Sequence, residues 1–161
     1  MTAPSPSPIN FAKVSATVWR GGRPDAEQGA WLYSAGVRTV LNLEWEASDD
    51  SAFAGIPVRL VRVRDFEPLP WFAPSVSDEH VIAALRAIRA GPPICYVHCR
   101  QGSNRTGVII AAYRLIELGD ALSSVLVEFT SYRGFWAWGD ERYIRTLDRA
   151  RVYFRHWLGA G

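Results

Sequence analysis

The stretch from residue 94 to residue 118 constrains the fold of this chain more than any other part of the sequence. Residues 94–98 form a short apolar run, which predicts a buried strand. Residues 105–118 are nearly all apolar and are followed by Gly119, which predicts a buried helix. Only residues 99–104 lie between the two elements, so the chain must turn tightly there.

The turn and the first helical residues have the composition of an anion site. They read Cys99-Arg100-Gln101-Gly102-Ser103-Asn104-Arg105-Thr106-Gly107. A loop that curls between a strand and a helix N-terminus points its N–H groups inward, and these groups bind an oxyanion together with the helix dipole. The same field stabilises a thiolate. We therefore predict that Cys99 is a nucleophile placed at the base of a phosphate site, where it can attack phosphorus.

Three further residues of this segment have predicted roles. Arg105 is the predicted phosphate clamp, because a guanidinium donates two parallel hydrogen bonds to two phosphate oxygens and Lys does not. Gly102 lets the backbone turn without a Cβ in the way. Thr106 is placed to donate its hydroxyl to the sulfur of Cys99 and so to ease the departure of that sulfur. The residues predicted to bind phosphate are Arg100, Gln101, Gly102, Ser103, Asn104 and Arg105.

Length and composition indicate one globular domain. The chain has 161 residues, of which 48% are hydrophobic and 21% charged, about one domain's worth of sequence. Residues 1–10 predict a flexible leader and residues 11–161 a single domain. No run approaches the roughly 20 apolar residues of a transmembrane helix and the start has no signal-peptide pattern, so the predicted location is cytoplasmic. The net charge of +2 is too small to indicate a nucleic-acid partner.

Cys95 precedes Cys99 on the same predicted strand. At about 3.3 Å per residue their Cα atoms lie about 13 Å apart, whereas a disulfide needs less than about 7 Å. The two cysteines are therefore predicted not to bridge, and Cys95 is interpreted as a buried strand residue with no chemical role.

The other segments alternate between helix and strand patterns. The predicted positions are helices after Asp25 and after Ser77 and over residues 121–132 and 140–158, and strands over residues 37–43 and 58–63. This alternation predicts an α/β fold, a central and mostly parallel twisted sheet with helices on both faces. Residues 64–76 hold Pro68, Pro70 and Pro74 and are predicted to form a loop.

The motif His98-Cys99-x5-Arg105-Thr106-Gly107 resembles the signature of the protein tyrosine phosphatases, in their compact dual-specificity branch. Residues 19–24, 36–43, 111–114 and 118–119 are similar to the pattern of the atypical dual-specificity phosphatases of bacteria, plants and fungi. The resemblance implies a protein tyrosine phosphatase-like fold, a cysteinyl-phosphate intermediate, no metal or other cofactor, and a general-acid Asp on a separate loop. It also implies that His98 supports the phosphate loop and the thiolate.

Asp65 is the predicted general acid. It follows the strand predicted over residues 58–63 and begins the proline-rich loop, where the family resemblance places the acid. Glu67, two residues on, is the second candidate. Asp78 and Glu79 are sufficiently explained as residues in the first turn of a helix, where a negative charge is favourable.

The resemblance implies a phosphoric monoester hydrolase, and it leaves more than one substrate open. The first reading is a cysteine-dependent protein phosphatase of the dual-specificity type, acting on phosphotyrosine and phosphoserine/threonine proteins. The second is a phosphatase for a small phosphorylated substrate, an inositol phosphate or a phosphoinositide. Only Arg100 is basic among the variable loop positions, which disfavours the second reading. Five arginines that could surround the mouth keep it open: Arg20, Arg23, Arg62, Arg64 and Arg133.

Two other readings are weaker. A non-catalytic phosphate-binding module would be expected to lack Cys99 or Arg105, and both are present. Arsenate reduction on a similar loop needs resolving cysteines, and Cys95 is badly placed to be one. The oligomeric state is left open by the sequence.

Overall fold

The computed structural model describes residues 6–63, 73–132 and 137–159 of the chain. The strands in these ranges are β1 (Ala12–Lys13), β2 (Val18–Gly22), β3 (Thr39–Asn42), β4 (Arg59–Arg62) and β5 (Cys95–Cys99). The α-helices are α1 (Ala26–Ser34), α2 (Asp78–Ala90), α3 (Asn104–Ala112), α4 (Leu122–Tyr132), α5 (Trp138–Arg149) and α6 (Arg151–Gly159). A π-helical segment, Tyr113–Leu118, continues α3. Among the described residues, no helix has the length and apolar character that a membrane span needs.

The strands form one sheet in the order β1-β2-β5-β3-β4. β5 lies at the centre and runs parallel to β2 and β3, β4 is parallel to β3, and β1 is antiparallel to β2. In this register Cys99 pairs with Gly22 of β2, and His98 pairs with Asn42 of β3. The mostly parallel α/β sheet predicted from the sequence is confirmed. Cys99 lies at the carboxyl edge of the central strand, where open α/β sheets bind their ligands.

The two faces of the sheet bury separate apolar clusters, as the predicted helices on both faces require. Alternate residues of β5 face opposite sides, because successive side chains of a strand alternate. Cys95, Val97 and Cys99 join the larger cluster, to which α2 to α6 contribute. Tyr96 joins the smaller cluster with Leu32 of α1.

The predicted helix starts after Asp25 and Ser77 are confirmed, and both are capping boxes. The Asp25 carboxylate accepts from the backbone N–H of Gln28 at 2.8 Å, and the side chain of Gln28 accepts from the backbone of Asp25 at 3.0 Å. The hydroxyl of Ser77 likewise accepts from the backbone N–H of His80 at 3.3 Å. These local hydrogen bonds satisfy N–H groups that the first helical turn leaves unpaired.

The helix predicted over residues 140–158 is instead two helices, with the break at Ala150. The N–H of Ala150 bonds to the carbonyls of both Thr146 and Leu147, at 3.0 and 3.1 Å. The guanidinium of Arg151 reaches the carbonyls of Leu115 and Asp120, at 3.0 and 2.7 Å. These tertiary bonds fix the chain direction after the break, and the local helix pattern carries no sign of them.

The last residues of the predicted leader contact the domain. The N–H of Gly22 donates to the carbonyl of Ile9 at 2.8 Å. The ring of Phe11 lies edge-on to Trp19 and Trp31, with ring centroids 5.7 and 5.2 Å away. The division into a leader of residues 1–10 and one domain stays a prediction, but these contacts begin before its boundary.

Candidate active site

A cavity of about 300 Å³ opens where β5 meets α3. It is lined by Ser75, Cys99, Arg100, Gln101, Ser103, Asn104 and Arg105. Cys99 ends the strand and Arg105 stands in the first turn of the helix, and the residues between them form the loop that the sequence predicts. We call residues 100–105 the phosphate loop. The structure therefore brings the predicted nucleophile, clamp and loop together around one cavity.

The carbonyls of the phosphate loop bond to the N-terminal part of the chain. The carbonyl of Arg100 accepts from the backbone N–H of Arg23 at 3.1 Å. The next two carbonyls, of Gln101 and Gly102, accept from the side chains of Asn10 at 2.8 Å and Arg20 at 2.7 Å.

The direction of these carbonyls fixes the direction of the N–H groups. In a trans peptide the N–H points opposite to the C=O of the same plane. The N–H groups of residues 101–103 therefore point away from Asn10, Arg20 and Arg23, none of which lines the cavity. N–H groups turned in this way are the arrangement by which a loop can bind an anion, and the binding itself stays a prediction.

Gly102 meets the requirement predicted for it. Its φ is +71°, in the left-handed region that side chains disfavour. A Cβ at this position would lie 2.4 Å from the carbonyl carbon of Gly21. The phosphate loop thus passes too close to β2 to carry a side chain there.

Arg105 points into the site from α3 and is held on one side. Its Nη1 donates to the carbonyl of Leu43 at 3.3 Å, and its Nη2 lies 3.8 Å from Oε1 of Glu46. The pKa of the Glu46 carboxyl is lowered by a hydrogen bond from the backbone of Glu46 itself and by the positive charges of Arg105 and Arg23. Residues just after β3 therefore orient the guanidinium beside the cavity.

His98 is fully buried beneath the phosphate loop. Its Nε2 lies 3.0 Å from Oδ2 of Asp49, and its Nδ1 lies 3.4 Å from the carbonyl oxygen of Cys99 and 3.9 Å from Oε1 of Glu44. The ring stacks on Tyr96 with a centroid distance of 5.7 Å. The imidazole thus ties the end of β5 to the segment after β3, and its role in supporting the phosphate loop and the thiolate stays a prediction.

The chain matches a family of known phosphatases. A family model described as DSP-PTPase phosphatase fused to NAD+ kinase matches residues 5–133. The chain belongs to this family of DSP-PTPase phosphatases. The match covers both the phosphate loop and the N-terminal segment that bonds to it.

Similar proteins agree with this assignment. Dual specificity protein phosphatase TpbA of Pseudomonas aeruginosa strain UCBPP-PA14 is 36% identical over 142 residues, which cover 85% of this chain and 59% of TpbA. The chain thus spans about three fifths of that relative. Inositol diphosphatase DSP5 of Arabidopsis thaliana is 26% identical over 156 residues, covering 90% of this chain and 72% of DSP5. A crystal structure of P. aeruginosa TpbA in complex with pTyr has a TM-score of 0.71 at 26% identity, with both chains fully covered.

Asp65, the predicted general acid, and Glu67, the second candidate, both lie outside the described residues. Of the two other carboxylates considered for the role, Asp78 is exposed in the first turn of α2 and accepts from the hydroxyl of Tyr143. The prediction for Asp65 is therefore carried by its position in the chain.

Of the five arginines that could surround the mouth, the three that the structure describes do not line the cavity. Arg20 is wholly buried, because it bonds to Glu128 and to the phosphate loop. Arg23 pairs with the buried carboxylate of Glu44, and Arg62 donates to carbonyls of the segment after β3. Arg64 and Arg133 lie outside the described residues.

The bond predicted between Thr106 and the sulfur of Cys99 is not present. Thr106 is fully buried in the first turn of α3, and its hydroxyl has no hydrogen-bond partner among the described residues. Its role in easing the departure of the sulfur stays a prediction. Cys95 and Cys99 are both free, as the strand spacing predicts, and burial raises the pKa of the Cys95 thiol to about 12.

Several contacts near the cavity were not predicted from the sequence. Asn10 and Arg20 bond to the back of the phosphate loop, and Asp49 bonds to His98. Asp140, at the start of α5, is buried and accepts from the backbone N–H of Ser75, which lines the cavity. Burial raises the pKa of the Asp140 carboxyl, and the bond from Ser75 opposes that shift.

Proposed function

We propose that this chain is a phosphatase that hydrolyses phosphate monoesters through a cysteinyl-phosphate intermediate, acting on phosphotyrosine and phosphoserine/threonine proteins. The observation that carries the proposal is that Cys99, the phosphate loop and Arg105 meet around one cavity. It is supported by the dual-specificity name of TpbA and by its complex with pTyr.

The proposed reaction has two displacements at phosphorus. The thiolate of Cys99 attacks, the S–P bond forms and the P–O bond to the leaving group breaks. Asp65 gives its proton to the departing oxygen. In the second step the Asp65 carboxylate takes a proton from water, the water oxygen bonds to phosphorus, and the S–P bond breaks. Phosphate leaves, and both the thiolate and the protonated acid are restored.

Arg105 and the phosphate loop act on charge that is spread over the equatorial oxygens in the transition state. The guanidinium gives two parallel donors to two of these oxygens, and the inward N–H groups of the loop bind the others. His98 and Thr106 support the site, His98 by holding the end of β5 and Thr106 by donating to the sulfur as it leaves. The chain's own residues supply every group in these steps.

The position of Asp65 supports its role as the acid. β4 ends at Arg62 and is parallel to β3, which is parallel to β5. The carboxyl ends of parallel strands lie at one edge of the sheet, so the chain leaves β4 on the edge where Cys99 stands. β4 and β5 are separated by one strand, which places them about 10 Å apart. A loop begun at residue 63 can bridge that distance.

The alternative substrate class is an inositol phosphate or a phosphoinositide. It is favoured by the similarity to inositol diphosphatase DSP5. A panel of phosphotyrosine and phosphoserine/threonine peptides, inositol phosphates and phosphoinositides separates the two. We expect the highest kcat/KM on the phosphopeptides, with Cys99→Ser as the blank for contaminating activity. A higher kcat/KM on the inositol compounds would assign the alternative, and anion binding without turnover on any substrate would assign a binding module.

Two further expectations remain predictions. The activity is expected to need no metal, so it should survive EDTA and should not depend on an added divalent ion. The location is expected to be cytoplasmic, which fractionation of the producing cells would test.

A further inference from the structure

The back of the phosphate loop is held by donors from one short part of the chain. Three successive carbonyls, of residues 100–102, accept hydrogen bonds from residues 23, 10 and 20 respectively. The first donor is a backbone N–H, and the other two are side chains. Nothing in the reaction proposed above uses Asn10 or Arg20.

We propose that Asn10 and Arg20 are positioning residues that keep the phosphate loop in its anion-binding form. They hold the carbonyls of Gln101 and Gly102 outward, so that the N–H groups of Gly102 and Ser103 face the bound phosphate. The proposal rests on the proposed function, because it concerns how the same site receives its substrate.

A loop with this sequence needs such support. A peptide plane that turned over would present a carbonyl oxygen to the phosphate, replacing an attractive donor by a repulsive partial charge. Gly102 lacks a Cβ and so restrains the rotation of the two planes beside it less than other residues do. The outward bonds from Asn10 and Arg20 act on the carbonyls of these two planes.

Arg20 is fixed independently of the loop. Its guanidinium lies 4.2 Å from the ring centroid of Tyr132, and its Nη1 pairs with Oε1 of Glu128 at 3.0 Å. The other oxygen of Glu128 pairs with Nη1 of Arg114 at 2.7 Å, and Nε of Arg114 pairs with Asp120 at 2.7 Å. A buried charge costs stability unless it is paired. This chain of ion pairs compensates Arg20 and leaves its Nη2 to donate to the loop.

Asn10 reaches the loop from a strained turn. Its φ is +55°, in the left-handed region that asparagine tolerates better than most residues. The side-chain amide donates to the Gln101 carbonyl at 2.8 Å and lies 3.4 Å from the hydroxyl of Ser103. The carbonyl of Ile9 accepts from Gly22, and Phe11 packs on Trp19, so both neighbours of Asn10 are anchored.

The test measures anion affinity and turnover in variants of both residues. Asn10→Gly keeps the left-handed backbone accessible and removes the amide, and Asn10→Asp keeps the shape but sets a carboxylate against the Gln101 carbonyl. Arg20→Lys keeps a charge and loses the fork that bonds to Glu128 and Gly102 at once. The measured quantities are the inhibition constants of inorganic phosphate and orthovanadate, kcat and KM for an aryl phosphate, and the thermal midpoint.

Two control variants match these changes. Thr17→Ala removes an exposed hydroxyl that lies just before β2 begins, at the end of this strand remote from the phosphate loop. Arg38→Lys changes a guanidinium that lies 4.2 Å from the Tyr33 ring centroid and donates to the carbonyls of Tyr33 and Val37. Like Arg20 it lies over a tyrosine ring and donates to backbone carbonyls, but it is only half-buried and lies at the opposite end of the sheet.

We expect orthovanadate to bind about tenfold more weakly to Asn10→Gly. Binding should be weaker still to Asn10→Asp, because the carboxylate repels the Gln101 carbonyl, and to Arg20→Lys, because hydrogen bonds from charged donors are the stronger ones. The kcat for the aryl phosphate should fall together with the affinity for orthovanadate, while both quantities in the control variants match the wild type. Affinity and kcat equal to the controls in folded Asn10 and Arg20 variants would overturn the proposal. Should Arg20→Lys not fold, the Asn10 variants decide alone. If the wild type neither binds orthovanadate nor hydrolyses the aryl phosphate, the proposed function fails, and the positioning role fails with it.

Discussion

Strand β5 carries one cysteine at each end, on the same face of the sheet, and the two thiols have different surroundings. Cys95 begins the strand among apolar side chains, and burial raises its pKa to about 12. Cys99 ends the strand at a cavity, followed by a loop whose carbonyls are turned away from it. The residue type and the strand are the same for both thiols, so they do not decide which of the two can act on a ligand. The position of Cys99 at the carboxyl edge of the sheet makes the difference, because there the chain leaves the strand and can curl around a ligand.

Replacing each cysteine by serine gives the largest expected difference in activity between the two ends of β5. Cys99→Ser removes the nucleophile and should reduce hydrolysis of an aryl phosphate below about one part in a thousand of wild type. Phosphate and orthovanadate should still bind, because Arg105 and the loop remain. Cys95→Ser should keep kcat and lose only some stability, because it places a hydroxyl in an apolar site. Equal losses of kcat in the two variants would end the distinction between the two ends.

Replacing an arginine by lysine at each end of the sheet gives the next largest difference in kcat/KM. Arg105→Lys keeps the charge but loses the two parallel donors, so kcat/KM for an aryl phosphate should fall about a hundredfold or more. Arg38→Lys, at the amino end of β3, should leave kcat/KM close to wild type. Near-normal catalysis by Arg105→Lys would show that charge alone is enough and would remove the bidentate clamp from the mechanism.

The smallest effects on an aryl phosphate should come from the acidic residues that follow β4, and the size of these effects depends on the leaving group. A good leaving group departs without a proton, so Asp65→Asn should slow an activated aryl phosphate by less than about tenfold and an alkyl phosphate such as phosphoserine by about a hundredfold. It should also flatten the basic limb of the pH–rate profile, on which the acid loses its proton. Glu67→Gln should do neither. If the two variants exchange behaviours, Glu67 is the acid, and if neither shows them, Asp78 is the next residue to test.

The parts of the molecule that the sequence predicted well have local causes. The capping boxes at Asp25 and Ser77 and the turn at Gly102 depend on residues a few positions apart, so their patterns can be read directly. The phosphate loop belongs to the same class, since its nucleophile, glycine and clamp lie within one short stretch. For that reason the sequence could predict Cys99 and most of the loop residues that line the cavity, whereas Ser75, which comes from another part of the chain, was not predicted.

The parts that were missed depend on contacts between distant positions. Strand β2 contains Gly21 and Gly22, which are poor strand formers. It forms because it pairs with β5, where the Tyr96 hydroxyl bonds to the carbonyl of Gly22 at 2.7 Å. A Cβ on Gly21 would lie 2.2 Å from that hydroxyl, so the glycine suits the packing. The bonds from Asn10 and Arg20 to the phosphate loop join residues that are 91 and 82 positions apart in the sequence, so no local pattern predicts them.

Trapping the intermediate tests covalent catalysis by Cys99 most directly. The wild type would be mixed with a phosphotyrosine peptide, quenched in acid within the first turnover, digested and analysed by mass spectrometry. Asp65→Asn would be run beside it, because loss of the base that activates water should let the phospho-enzyme accumulate. We predict phosphate on the peptide that contains Cys99, at the sulfur of Cys99 and not of Cys95, and none in Cys99→Ser. Rapid turnover with no phosphate on Cys99 at any quench time, or phosphate on another residue, would contradict the proposed mechanism.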